Sequence, residues 1–195
     1  MTGRLPEHFG LERYSISADD VAKHVLHCDP ARVQADVLVT PVWGHQVFLE
    51  VAALEDTVAA DEVYTLRYRG RLLTLVRSGI GAPQTGDAML ALACTSCRRV
   101  LFVGSVGGLV AGMRIGDLVV PTESVSGDGF CKYLSAGPLG AHEVLGTARP
   151  DAGLRGALER LSDRFRGEQT GAVLAGRVFS VDSIVAQFHH LEEMV

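Results

Sequence analysis

No apolar run in this sequence approaches the ~18–20 residues that a membrane-spanning helix needs. There is no basic run, and the formal net charge is −5, so the electrostatic footprint of a nucleic-acid binder is absent. The amino terminus is polar and lacks the charged flank and apolar stretch of a signal peptide. Four cysteines in 195 residues do not make a disulfide framework. Internal repeats, low-complexity tracts and linkers are also absent. The expectation is a cytoplasmic protein with no membrane and no nucleic-acid partner. What the chain does have is core material. Its residues are 47% hydrophobic, enough to bury a sizeable interior, and its length suits a single domain over residues 1–195.

Cys94-Thr95-Ser96-Cys97 is a C-x-x-C motif. A redox role needs that motif at the start of a helix, where the dipole lowers a thiol pKa. Here the pattern predicts it at the end of a helix over residues 85–97. A zinc site needs a second ligand pair, and Cys28 and Cys131 do not have the spacing. Ordinary helix-end cysteines are the simpler reading, and neither a metal nor an organic cofactor is expected.

Residues 1–16 read as irregular. Ser17-Ala18-Asp19-Asp20 reads as a helix start, with Val21, Val25 and Leu26 on one face and a stop at Asp29-Pro30. Residues 36–41 read as a buried strand and 46–54 as a helix. Residues 63–68 and 72–76 read as an antiparallel hairpin turning at Arg69-Gly70-Arg71. The helix over 85–97 follows, then a strand over 100–103, turn chemistry over 112–117 and a strand over 118–121. Residues 122–150 are rich in Gly, Pro and Ser, so long loops are expected there. Leu154, Leu158, Leu161 and Phe165 give residues 151–166 the apolar face of a helix. Residues 171–179 read as strand, and 183–194 as a further helix inside which the sequence stops.

Two glycine turns carry most of the functional information. Ser78-Gly79-Ile80-Gly81 closes the apolar run 72–76, and Gly104-Ser105-Val106-Gly107-Gly108 closes the run 100–103. Strand, glycine turn, helix, strand, glycine turn is how an α/β protein builds a small-molecule site at the carboxyl ends of its strands. Glycine lets the backbone approach a ligand because no Cβ intervenes. Neither turn matches G-x-G-x-x-G, and no acidic residue ends a following strand at the expected distance, so NAD binding is not supported. A P-loop is excluded, since there is no G-K-[ST].

In order and spacing, three segments resemble the nucleoside phosphorylase/nucleosidase superfamily. They are Ser78-Gly79-Ile80-Gly81, Val103-Gly104-Ser105-Val106-Gly107-Gly108-Leu109 and Ile115-Gly116-Asp117-Leu118-Val119-Val120. Val178-Phe179-Ser180-Val181-Asp182 agrees more loosely. That superfamily includes purine nucleoside phosphorylases, uridine phosphorylases and methylthioadenosine/adenosylhomocysteine nucleosidases. The resemblance covers residues 36–195 and leaves 1–35 as an amino-terminal extension. It implies an α/β fold with a mixed twisted sheet flanked by helices, truncated at its C-terminal end because the family's last strand and helix do not follow. It implies cleavage of the N-glycosidic bond of a purine ribonucleoside through an oxocarbenium-like sugar, with phosphate or water as nucleophile. That chemistry calls for charge stabilisation at the sugar and an acid at the leaving base. It further implies a nucleoside as the partner, phosphate as a possible co-substrate, and a homo-oligomer, dimer or hexamer, whose sites borrow residues across subunits.

Residue by residue, the resemblance places Ser105 at the hydroxyl that contacts the nucleophile, and Val106 and Gly107 along the base. Gly79, Ile80 and Gly81 fall beside the ribose and nucleophile, and Phe179 on the face of the base. His8 falls at the ribose 5′-hydroxyl of a neighbouring subunit. Each has a plainer alternative: a turn serine bonded to its own loop, a glycine needed for its torsions, a core phenylalanine, a surface histidine. Asp128 stands in a loop that approaches the substrate in related enzymes, or else makes an Asp-Gly turn.

Two departures bear on the chemistry. Phosphorylases of this family carry an arginine two residues before the glycine of the Gly-Ser turn, where this chain has Phe102. They carry a second arginine after the first strand, where residues 42–46 read Val-Trp-Gly-His-Gln. A guanidinium is the usual grip on a phosphate dianion, and neither Phe nor Gln replaces it. Arg77, just before the first glycine turn, is the compensating charge available, or else a solvated strand-end residue. This favours hydrolysis, a non-standard phosphate site, or a nucleoside-binding homologue without turnover. The family's ribose glutamate and base-facing acid lie beyond the Phe-Ser-x-Asp stretch and would follow Val195, so the catalytic residues themselves are not assigned. Glu192-Glu193-Met194 stands too close to Phe179 to be the glutamate motif.

Overall fold

A computed structural model of the chain describes residues 5–59, 62–134, 145–165 and 171–194. The chain packs as two units, Met1–Ser105 and Val106–Val195. The first begins with α1 (Leu5–Phe9) and a 3₁₀ turn, Leu11–Tyr14. A capping box starts α2 (Ala18–Leu26). The Asp20 N–H donates to Ser17 Oγ at 3.2 Å, and the Ser17 N–H donates to the Asp20 carboxylate at 2.9 Å. His27, at a left-handed φ of 50°, closes the helix before Asp29-Pro30 is reached.

There follow β1 (Asp36–Thr40), β2 (Ala53–Ala59), β3 (Val63–Tyr68), β4 (Arg71–Arg77), α3 (Ala82–Leu92) and β5 (Arg99–Phe102). The five strands make one mixed sheet in the order β2-β3-β4-β1-β5. β1 runs parallel to both β4 and β5, while β2, β3 and β4 run antiparallel to one another in turn. The β3–β4 hairpin turns on Arg69 and Gly70, at φ 47° and 77°. Positive φ at both central residues is the turn geometry that matches strand twist.

β4 is buried on both faces, as a central strand must be. On one face Val76 joins Val37, Val39 and Val63 under Leu26 of α2 and Ala88, Ala91 and Leu92 of α3. On the other, Leu75 joins Tyr64 and Leu66, with Phe48 and Ala52 packed against them. Each such leucine contributes about 1.5–3 kcal/mol by leaving water.

The second unit holds β6 (Leu118–Gly127), β7 (Thr147–Ala148), α4 (Ala152–Phe165) and β8 (Val173–Val181). β6 is central, antiparallel to β7 and parallel to β8. The parallel pair extends from Leu118↔Val173 to Gly127↔Val181, with one register shift between Pro121 and Glu123. Pro121 has no N–H to give the ladder, and the irregularity absorbs it. Asp117 latches the start of this sheet, its carboxylate accepting the N–H groups of Arg114 and Ala172, both at 2.7 Å.

The α/β expectation stands, with parallel and antiparallel strands mixed. Five local expectations are corrected. Residues 1–16 are not irregular throughout: Leu5–Phe9 is a helix and Leu11–Tyr14 a 3₁₀ turn. Residues 46–54 are not a helix: a 3₁₀ turn, His45–Phe48, and further turns lead to β2, whose first residues Ala53 and Leu54 pair with Arg67 and Leu66 of β3. The helix expected over 85–97 ends at Leu92, so Cys94 and Cys97 lie in the turns beyond it. β6 continues through Gly127, into what the composition suggests is loop. Residues 183–194 make two 3₁₀ turns, Ala186–His189 and Leu191–Glu193, in place of one helix. Ile184, Val185 and Phe188 are exposed there, and a short helix without a buried face is marginal. Among the described residues no helix is long and apolar enough to cross a membrane.

Candidate functional site

In the first unit, the parallel strands end level. Thr40 of β1 is the register partner of Arg77 in β4, and Val39 is the partner of Phe102 in β5. The Ser78 N–H donates to Thr40 O at 2.9 Å and the Val103 N–H donates to Val39 O at 2.8 Å. Both glycine-bearing turns therefore leave the sheet at one carboxyl edge.

The first turn is held in its course by hydroxyls and torsions. Ser78 Oγ donates to Gly79 O at 3.1 Å and lies 3.2 Å from Thr85 Oγ1. Gly79 and Gly81 sit at φ 86° and 103°, a region that side chains rarely enter. A Cβ on Gly79 would also meet Gln84 Oε1 at 2.1 Å, so the Gln84 amide lies directly over the turn. Ile80 is exposed.

Beside this turn is an open cleft of about 330 Å³ over an apolar floor, with His24, His27, Glu62, Arg77, Gln84 and Asp87 among its lining. His27 Nδ1 lies 2.5 Å from Glu62 Oε2. Sequence patterns do not single out His24, His27, Glu62 or Gln84, because helix ends, a hairpin start and a helix start come together there only through sheet pairing.

Ser105 and Val106, within the second turn, are exposed. Among the described residues the Ser105 hydroxyl has no hydrogen-bond partner, so a bond to its own loop is not seen. Gly107 has an ordinary φ and open space where a Cβ would stand, so its torsions do not require glycine. His8 is exposed on α1, edge-on to Phe9 at 4.9 Å. In the loop after β1, the His45 ring lies against Tyr64 at 4.3 Å. Phe102 is exposed at the end of β5.

In the second unit, Phe179 lines a cleft of about 450 Å³ with Asp128, Asp182, Gln187, His189 and His190. Its ring packs over Gly127, where a Cβ would stand 2.1 Å from Cε1. Asp128 accepts the N–H groups of Phe130 and Cys131 at 3.0 and 3.2 Å, so its carboxylate makes the turn. Burial pushes this carboxyl up, but hydrogen bonds from the Ser180 hydroxyl, from Cys131 and from the Phe130 N–H outweigh it and hold the group below its ordinary value. Asp182 ties the same loop to the end of β8 by accepting the Gly129 N–H at 2.9 Å.

The four cysteines are free. Burial pushes the Cys94 and Cys97 thiols up, the opposite of what an activated thiolate needs. Among the described residues no group of three His, Cys, Asp or Glu is placed to hold a metal ion.

Comparison with known proteins adds the following. The family model described as "Phosphorylase superfamily" matches residues 45–194. A uridine phosphorylase of Thermococcus kodakarensis is 31% identical over 114 residues, which are 58% of this chain and 38% of that protein. Two solved structures share the fold. A uridine phosphorylase from Vibrio fischeri has a TM-score of 0.67 at 23% identity, over 86% of this chain and 68% of its own. A 5′-methylthioadenosine/S-adenosylhomocysteine nucleosidase from Neisseria meningitidis has a TM-score of 0.60 at 24% identity, over 83% and 71%.

Proposed function

Because this chain belongs to the phosphorylase superfamily, we propose that it cleaves the N-glycosidic bond of a ribonucleoside, a purine nucleoside first among them, with phosphate or water as nucleophile. The observation that carries this reading is that the matched residues 45–194 include both glycine turns at the level carboxyl edge and the strand bearing Phe179. As C1′–N breaks, the electron pair leaves with the base, which takes up a proton, and an oxygen of the nucleophile bonds C1′. Ser105 and the Gly79-Ile80-Gly81 turn contact the nucleophile and ribose in this reading. Val106 and Gly107 line the base and Phe179 stacks on it. His8 serves a neighbouring subunit in a homo-oligomer, and the location is cytoplasmic.

The test is incubation with inosine, 5′-methylthioadenosine and uridine, with and without inorganic phosphate, scoring free base, ribose and ribose 1-phosphate. Release of base from one of them supports the reading; no release from any sinks it. Phe102, exposed where family phosphorylases carry an arginine, favours a second reading, nucleoside binding without turnover. Calorimetric binding of a nucleoside with no product would establish that instead. A monomer by light scattering would remove the role given to His8.

A further inference from the structure

We propose that the base taken by this chain carries an exocyclic amino group, as an aminopurine or an aminopyrimidine does, in preference to an oxo group. The proposal rests on the ribonucleoside reading above and narrows it. What carries it is the hydrogen-bonding character of the 450 Å³ cleft that Phe179 lines in the second unit. Phe179 is half-buried there and offers an aromatic surface to a planar ring. Planar rings of one size differ in what their edges donate and accept. The unpaired polar atoms of the lining therefore decide which edge fits.

Those atoms are mostly acceptors. Asp182 accepts the Gly129 N–H through Oδ2 at 2.9 Å, and its Oδ1 has no partner among the described residues. Gln187 donates from Nε2 to Ile184 O at 2.9 Å, which fixes the orientation of the amide. Its Oε1 is likewise without a partner among the described residues. A carboxylate only accepts, so His190 turns an Nδ1–H towards Glu193 Oε1 at 3.3 Å. In the neutral imidazole, Nε2 is then a bare acceptor. Asp128 is not available: the Phe130 and Cys131 N–H groups and the Ser126 and Ser180 hydroxyls already occupy its oxygens. On the donor side stand the His189 ring and the Ser183 hydroxyl, whose oxygen accepts the Ala186 N–H at 3.0 Å. An amino group offers two N–H bonds to such a lining. An oxo group in its place sets lone pairs against lone pairs and leaves both sides unpaired.

The test compares kcat/KM for adenosine against inosine and for cytidine against uridine, alongside calorimetric affinities for the four free bases. It uses the unsubstituted chain, Asp182→Asn and Gln187→Met. The amino member is favoured by about tenfold in the unsubstituted chain, the scale of one or two partly exposed hydrogen bonds. A preference within the purine pair supports an aminopurine, and one within the pyrimidine pair an aminopyrimidine. Asp182→Asn keeps a carbonyl oxygen for the Gly129 N–H and puts an amide NH2 in place of Oδ1, so the preference narrows. Gln187→Met removes an acceptor and narrows it as well. Equal rates for both members, or a preference for the oxo member, overturn the proposal, as does a ratio unchanged in both variants. If no nucleoside is cleaved, the ribonucleoside reading fails and the free bases decide the cleft. Tighter binding of adenine than hypoxanthine, or of cytosine than uracil, supports its acceptor character. Equal affinities, or no binding, overturn it.

Discussion

Gly127 and Phe179 pack so closely across the β6–β8 ladder that a Cβ on Gly127 would meet Phe179 Cε1 at 2.1 Å and the backbone oxygen of Ser180 at 2.6 Å. The ring can turn away, but the backbone oxygen cannot. Gly127→Ala therefore costs about 1–3 kcal/mol of overpacking. Adding Phe179→Ala leaves most of that cost in place, because Ser180 remains. Urea midpoints of the single and double variants check this; full recovery in the double variant would assign the whole effect to the ring.

Gly79 presents the converse case. The nearest atoms to an added Cβ belong to the flexible Gln84 side chain, while the φ of 86° is a property of the backbone. Gly79→Ala is expected to lose about 1–2 kcal/mol through its torsion. Gln84→Ala in the same background recovers only a fraction. A double-mutant cycle in urea measures the split, and complete rescue by Gln84→Ala would locate the cost in the side-chain contact.

Asp117 makes the stability of the second unit depend on acid. Hydrogen bonds from the Arg114 and Ala172 N–H groups hold its carboxyl below the ordinary value of 3.8. A depressed folded value means that the stabilisation is fully present above 3.8 and is lost as pH falls through the lower folded value. Asp117→Asn is expected to flatten this part of the acid limb and to be less stable than the parent near neutrality. Denaturation midpoints followed downward from pH 7 test it; parallel curves for both proteins would refute the assignment.

Phe102→Arg adds a guanidinium at the end of β5, where the side chain is 51% exposed and the larger group needs no repacking. On the phosphate reading it lowers KM for phosphate, and the gain shrinks with rising salt because the site is open. Steady-state kinetics at two ionic strengths give the answer. A raised or unchanged KM would place Phe102 away from the anion.

Leu75→Ala bears on the sheet that carries the first turn. Leu75 is fully buried in the cluster with Tyr64 and Leu66, so truncation leaves a cavity and costs about 2–5 kcal/mol. A loss below 1 kcal/mol in urea, on the scale of a surface change, would contradict a two-faced burial of β4.

Much of this protein is legible in local chemistry. Ser17 and Asp20 announce a cap, Arg69-Gly70 a hairpin, and the runs before Gly79 and Gly104 two strands ending in turns, because each signal acts within a few residues of its cause. The order of those turns along the chain is enough to read the family. β2 is hidden from such reading, since Ala53 and Leu54, at the end of an apparent helix, become strand by pairing with β3. The continuation of β6 past Pro121 is hidden too, since it depends on β8, some fifty residues away. The same holds for the cleft joining His27, Glu62, Arg77 and Gln84, and for the fit of Gly127 to Phe179. Hydrogen bonds and packing between distant segments are settled by which backbone each segment finds, and only the folded chain brings those partners together.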